Sequence, residues 1–257
     1  MVKIHLLVRK EEISEEKMRM GTKLAVVLDV LLATTTITSA LRDGAIEVIP
    51  VLTPEEGLEI AKEQTGDFIL AGELNTKSIE GFVYPNPTEI RKMIRNKTLI
   101  LSTTNGTVAL RKSAGAKKVY IASLLNNEFV ARSVHEEMKD DYTIVVVCSG
   151  NSGEFSLEDF YGAGHFISCL IHQNEDEMEL SDAAKAALSF YQLQIEDTYE
   201  VLHSSYVGEL LSRYGIMDEL LLASQKGIVP IVPILEGKRV VREKTYTYFK
   251  SPRNGGC

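Results

Sequence analysis

The chain holds 257 residues, 44% apolar and 25% charged, which supplies a sizeable core and excludes a disordered chain. Its 36 Asp and Glu against 28 Lys and Arg leave a net charge of −8, which repels a phosphate backbone, so nucleic acid is not an expected partner. No run of about eighteen apolar residues exists, and MVKIHLLVRKEE turns charged too soon for a secretory leader, so the expectation is a cytoplasmic protein with no membrane partner.

Taken in chain order, LAVVLDV at 24–30 is a β-branched apolar run of the kind found in strands buried on both faces of a parallel sheet. The runs at 46–51, 67–71, 98–102, 119–123 and 143–148 read the same way. Thr53-Pro54-Glu55-Glu56 is a capping box with proline at the first helical position, which predicts a helix from 54 to about 64. EDEMELSD at 175–182 reads as a solvated loop and cap. From Ser181, Ala184, Leu188, Tyr191, Ile195, Tyr199 and Leu202 are spaced as one face of a long helix, with helical material continuing to about 225. The two prolines of IVPIVPIL at 228–235 predict an edge strand, and SPRNGGC at 251–257 a frayed tail. Cys148, Cys169 and Cys257 form no CxxC and no even framework, so they are expected as free thiols.

The chain repeats itself. ATTTITSALR at 33–42 and STTNGTVALR at 102–111 share six of ten positions without a gap, and each follows a buried-strand run and precedes a Gly-Ala pair. A third strand-to-loop-to-helix junction is CSGNSGEFSLED at 148–159. The expected fold is a three-layer α/β domain over 1–257, with a largely parallel sheet, duplicated strand-loop-helix subdomains at about 22–71 and 97–141, a third unit at about 142–173 and a helical segment near the C-terminus.

Three such loops at one sheet edge would gather hydroxyls, backbone N–H groups and helix N-termini, an arrangement suited to phosphate. The candidate phosphate-binding residues are Thr34, Thr35, Thr36, Thr103, Thr104, Asn105, Gly106, Ser149, Gly150 and Gly153. Capping alone would account for any one loop. Neither GxGxxG nor GxxxxGK[ST] occurs, so dinucleotide and P-loop readings have no motif. Asp29 and Glu73 end apolar strands beside these loops, and Glu158 and Asp159 follow the third; the candidate catalytic residues are Asp29, Glu73 and Asp159. Carboxylates beside an anion site call for a cation between them, and hard oxygen ligands point to Mg²⁺ on Asp29, Glu73, Glu158 and Asp159. The histidines lack zinc spacing, and His165 is expected to be structural.

VVLDVLLATTTI at 26–37, AGE at 71–73, GFVYPN at 81–86, STTNGTVAL at 102–110 and CSGNSGEFSLEDFYGAG at 148–164 together resemble the 2-phosphosulfolactate phosphatase family. The resemblance implies hydrolysis of a small anionic phosphorylated substrate to sulfolactate and phosphate with Mg²⁺. It also marks departures: Leu32 and Leu74 stand where the family pattern carries arginine, and Val83 and Pro85 alter the following loop. Three readings follow: a divergent phosphatase, a phosphatase retuned to a less anionic substrate, and a non-catalytic anion-binding or interaction protein on the same fold. Assembly into a homo-oligomer is left open.

Overall fold

The computed structural model describes residues 1–75, 77–174 and 177–244. The chain begins with β1 (Lys3–Leu7), a short α1 (Glu15–Arg19), β2 (Lys23–Leu28), α2 (Ala33–Arg42) and β3 (Glu47–Val51). Next come α3 (Pro54–Glu63), β4 (Phe68–Leu74), β5 (Lys77–Ser78) and α4 (Pro87–Ile90). The second copy of the repeat supplies β6 (Thr98–Ser102), α5 (Gly106–Ser113), β7 (Lys118–Ala122) and α6 (Asn127–Glu137). The third unit is β8 (Thr143–Cys148) and α7 (Leu157–His172), followed by β9 (Glu179–Leu180). Four helices, α8 (Asp182–Leu193), α9 (Thr198–Ser204), α10 (Tyr206–Arg213) and α11 (Met217–Ala223), then lead to a hairpin of β10 (Pro233–Glu236) and β11 (Arg239–Arg242). Each strand expected from an apolar run forms, and α3 starts at its capping box, with Thr53 accepting from the Glu56 N–H.

The strands form one sheet in the order β5-β4-β6-β3-β11-β10-β7-β2-β8-β1-β9. Apolar runs without alternation are required because both faces are covered. Leu24, Val26 and Leu28 of β2 pack with α6, α7 and α8 on one face, while Ala25 and Val27 pack with Ile37 and Leu41 of α2 and Leu110 of α5 on the other. In the β3–β6 half the inner face again meets α2 and α5, and the outer face, Ile49, Val51 and Ile100, meets Ile60 and Ala61 of α3. The result is the three-layer α/β arrangement, with α2 and α5 in the inner layer.

Within each half the strands are parallel: β4, β6 and β3 on one side, β7, β2, β8, β1 and β9 on the other. The antiparallel hairpin joins them, pairing Ile234 with Tyr120 and Val240 with Val48. Two halves related this way would carry their carboxyl ends to opposite edges of a flat sheet. Neighbouring strands rotate by about 20–25°, so the five steps from β2 to β6 turn through roughly 100–125° and bring those ends back together. They meet closely enough that a Cβ on Gly106 would lie 2.6 Å from Asp29 Oδ2 and 2.5 Å from the Ala33 Cβ.

Three expectations need correction. The proline-containing strand is not an edge: β10 sits in the middle of the sheet, where Pro233 is tolerated as its first residue. The long helix from Ser181 is broken after Leu193, because distant partners satisfy the carbonyls that the break frees. Tyr161 Oη donates to the Gln194 carbonyl at 3.1 Å, and Lys226 Nζ donates to that of Ile195 at 2.9 Å. Within the stretch read as a solvated loop, Glu179 and Leu180 pair with β1, while Ser181 does cap α8. Cys148 and Cys169 are buried thiols outside any disulfide, as expected; Cys257 and the polar tail lie outside the described residues. Among the described residues no helix is long and apolar enough to cross a membrane.

Candidate active site

The three loops do converge. Asp159, in the first turn of α7, accepts the Val30 N–H on Oδ1 at 2.8 Å and the Gly150 N–H on Oδ2 at 3.1 Å, tying the loop after β2 to the loop after β8. Asn105 accepts the Ser152 N–H at 3.0 Å, tying the loop after β6 to the same place. Glu73 accepts the Thr104 N–H at 2.7 Å and its hydroxyl at 3.1 Å, and Thr104 Oγ1 accepts the Asn75 N–H, joining β4 to β6. Between them lies a small open cleft whose polar lining includes Asp29, Glu73, Thr103, Thr104, Asn105, Asn151 and Ser152. Leu31, Leu32, Tyr84, Pro85 and Val207 form its apolar side.

Asp29 is 6% exposed, and its Oδ1 accepts the Ala33 N–H at 3.3 Å. Burial, with the charges of Glu73 and Glu158 behind it, pushes its carboxyl from 3.8 to about 7, against the pull of the Ala33 and Gly106 N–H groups. Burial also holds Asp159 well above the carboxylate range, reinforced by Asp29 and Glu158, and raises Glu158 itself. Tyr84 is pushed up to about 12 by burial and by the charge of Glu73.

Of the residues expected to bind phosphate, Thr103, Thr104 and Asn105 line the cleft; the others brace it. The hydroxyls of Thr34, Thr35 and Thr36 donate to the carbonyls of Asp29, Val30 and Pro85, and that of Ser149 to Leu28. Thr103 and Thr107 exchange hydroxyl and N–H bonds with each other. Gly106 permits the close approach to Asp29, Gly150 spends its N–H on Asp159, and the Gly153 carbonyl accepts from Arg9. The helix N-termini that suit an anion therefore already serve the chain's own carboxylates.

Among the described residues no three His, Cys, Asp or Glu side chains are grouped to hold a metal ion. The four-carboxylate set is thus not assembled: Asp29 and Glu73 share the cleft, whereas Asp159 has both oxygens committed to N–H groups and Glu158 does not line it. A pair of carboxylates that repel each other still fits Mg²⁺, which commonly takes one or two carboxylates and completes its shell with water and phosphoryl oxygens. His165 is fully buried, its Nδ1 3.1 Å from Asn127 Nδ2, and burial pushes it down to about 3; it stands apart from the cleft.

The profile of the 2-phosphosulpholactate phosphatase family matches residues 7–238. This chain belongs to that family. It is 38% identical over 234 residues to a "probable 2-phosphosulfolactate phosphatase" of Clostridium novyi, covering 90% of this chain and 96% of the relative. A protein of the same description from Clostridium beijerinckii is 37% identical over 245 residues, covering 94% and 100%. One from Symbiobacterium thermophilum is 37% identical over 227 residues, covering 86% and 95%. Against the family pattern, Leu32 lines the cleft, while Leu74 is 53% exposed and does not.

Sequence reasoning missed the N-terminal contribution to this family member's site. β1 lies beside β8 in parallel, so its carboxyl end reaches the same edge and delivers Arg9 and Lys10. Lys10 donates to Asn105 Oδ1 at 2.7 Å and its backbone N–H to the Ser149 carbonyl, while Arg9 Nη1 donates to the Gly153 carbonyl at 2.8 Å. The alternation of exposed and buried positions in KIHLL was the available signal. Tyr84, Asn151 and Ser152 lie inside motifs already singled out but were not chosen from them, whereas Asn75 and Val207 carry no local mark of a site and are identified by folding alone.

Proposed function

We propose that this chain hydrolyses 2-phosphosulfolactate, or a small phosphorylated acid of the same build, to the hydroxy acid and inorganic phosphate. The names of its relatives support the reading, and one observation carries it: Asp29, with its carboxyl raised to about 7, stands in the cleft where the three loops meet. A carboxylate poised near neutral pH is suited to take a proton from water. The water oxygen then bonds to phosphorus as the bond from phosphorus to the substrate oxygen breaks, and the departing alkoxide takes up the proton that Asp29 accepted, so that the hydroxy acid leaves and Asp29 returns to its starting state. Thr104, Asn105 and Ser152 line the cleft and would face the phosphoryl group. Glu73, beside Asp29 in the cleft, would hold Mg²⁺, whose chemistry when bound is to offset negative charge on the phosphoryl oxygens. Asp159 and Glu158 act on this site from behind, by loop bracing and charge.

The test is phosphate release from 2-phosphosulfolactate and a panel of small phosphomonoesters, with Mg²⁺ and with chelator. Asp29→Asn is expected to lose at least about a hundredfold in kcat, the contribution of a positioned acid or base. Absence of release from every ester by the folded wild type would refute the hydrolytic reading. The apolar wall at Leu32 favours one second reading, a non-catalytic anion-binding protein; phosphate binding without turnover would support it.

A further inference from the structure

Asn105 precedes α5 in the position from which an Asn side chain ordinarily caps its own helix, and here it makes no capping bond. Its Oδ1 turns instead to Lys10 Nζ at 2.7 Å and to the Ser152 N–H at 3.0 Å. Lys10 is only 7% exposed, and its ammonium also meets Glu11 Oε1 at 2.9 Å. Both partners of the amide oxygen are donors without acceptor capacity. Turning the amide over would set its NH₂ against an ammonium and a backbone N–H, two unfavourable meetings in place of two hydrogen bonds. Lys10 and Ser152 therefore decide which end of the amide is free, and that end is Nδ2, on a residue that forms part of the cleft wall.

We propose that Lys10, which does not itself line the cleft, is a positioning residue for phosphoryl binding. Acting through Asn105, it presents an amide NH₂ as a double donor to the oxygens of a phosphate monoester, polarised by the ammonium that Asn105 shares with Glu11. The inference rests on the hydrolytic reading and adds to it the source of anion affinity. With the N-termini of α2 and α5 turned toward Asp29, neutral donors backed by one ammonium are what the cleft offers a phosphoryl group. The chemistry recognised is that of a tetrahedral oxyanion, with inorganic phosphate as its simplest form.

The experiment is calorimetric titration of inorganic phosphate into wild type, Lys10→Met, Lys10→Gln and Asn105→Asp at fixed Mg²⁺, with kcat and KM measured in parallel on whichever monoester the wild type hydrolyses. Lys10→Met should weaken phosphate binding by about tenfold or more, the scale of one charge-assisted hydrogen bond. Lys10→Gln keeps a donor for Asn105 Oδ1 and should recover part of the loss. Asn105→Asp keeps both accepted hydrogen bonds but offers the phosphate a carboxylate, and should weaken binding most. In the Lys10 variants KM should rise with the phosphate Kd while kcat holds, as for a contact made equally in ground and transition states. Wild-type phosphate affinity in Lys10→Met, or no phosphate binding by the wild type, overturns the proposal. Should Lys10→Met fail to fold by circular dichroism, unchanged affinity in Asn105→Asp overturns it equally. Lys10-dependent phosphate binding without turnover of any ester would count against the hydrolytic reading alone.

Discussion

Replacing Asp29 by Asn separates the energetic cost of this carboxylate from its chemical use. In the fold its carboxyl is held at about 7, against an ordinary 3.8, chiefly by burial. The folded chain therefore binds more protons than the unfolded chain between those values, and stability falls as pH rises through that window. A difference of this size corresponds to about 4 kcal/mol, present below pH 4 and lost above pH 8. Asn imitates the protonated carboxyl, with one acceptor for the Ala33 N–H and one donor end, so the two proteins should unfold alike near pH 4. Carboxylates away from the cleft titrate alike in both proteins and cancel, whereas Asp159, raised in part by the Asp29 charge, is relieved in the variant and adds to the gap at high pH. Above pH 8 the variant should be the more stable, by roughly 8–16 °C in Tm at about 2–4 °C per kcal/mol for a chain of this size. The assay is thermal unfolding across pH in the presence of chelator, paired with phosphate release. A gap that does not grow with pH would show that Asp29 is not held out of ionisation by the fold, and with it the poised-base argument would fail. A variant stabilised at pH 8 yet inactive is the expected outcome.

Gly106→Ala places a methyl 2.5 Å from the Ala33 Cβ and 2.6 Å from Asp29 Oδ2. Denaturant melts should show a loss of about 1–3 kcal/mol from overpacking, and phosphate release should fall with it. Saturating Mg²⁺ at a hundredfold excess over its Kd should stabilise the wild type by about 2.7 kcal/mol and Glu73→Gln by less; identical melting curves for the wild type with and without Mg²⁺ would exclude a saturable site. Leu32→Arg, which adds a cation to the cleft wall, should lower KM for a multiply anionic ester, whereas Leu74→Arg should leave kinetics unchanged because that side chain is exposed outside the cleft.

Burial on both faces was written into the apolar runs themselves, which is why the strands, their parallel grouping and the duplicated loops are legible without a structure. A doubly covered strand must be apolar at successive positions, and a capping box must place Thr53 and Glu56 three residues apart; these are local requirements with local marks. Convergence of the loops was expected from strands ending at one sheet edge, but the loop after β6 belongs to the oppositely directed half and only the twist of the sheet brings it to the other two. What each polar atom does there was settled by partners far along the chain. The Thr34 to Thr36 hydroxyls look like phosphate ligands in sequence and are spent on carbonyls, one of them Pro85, 49 residues away from Thr36. Lys10 reads as one charge in a charged terminus and is brought to Asn105, 95 residues on, by the pairing of β1 with β8. The helix expected through Ile195 breaks because Tyr161 and Lys226 supply the hydrogen bonds it gives up. Period and capping act over one turn or one strand, whereas desolvation and hydrogen-bond satisfaction depend on whatever the twisted sheet brings alongside.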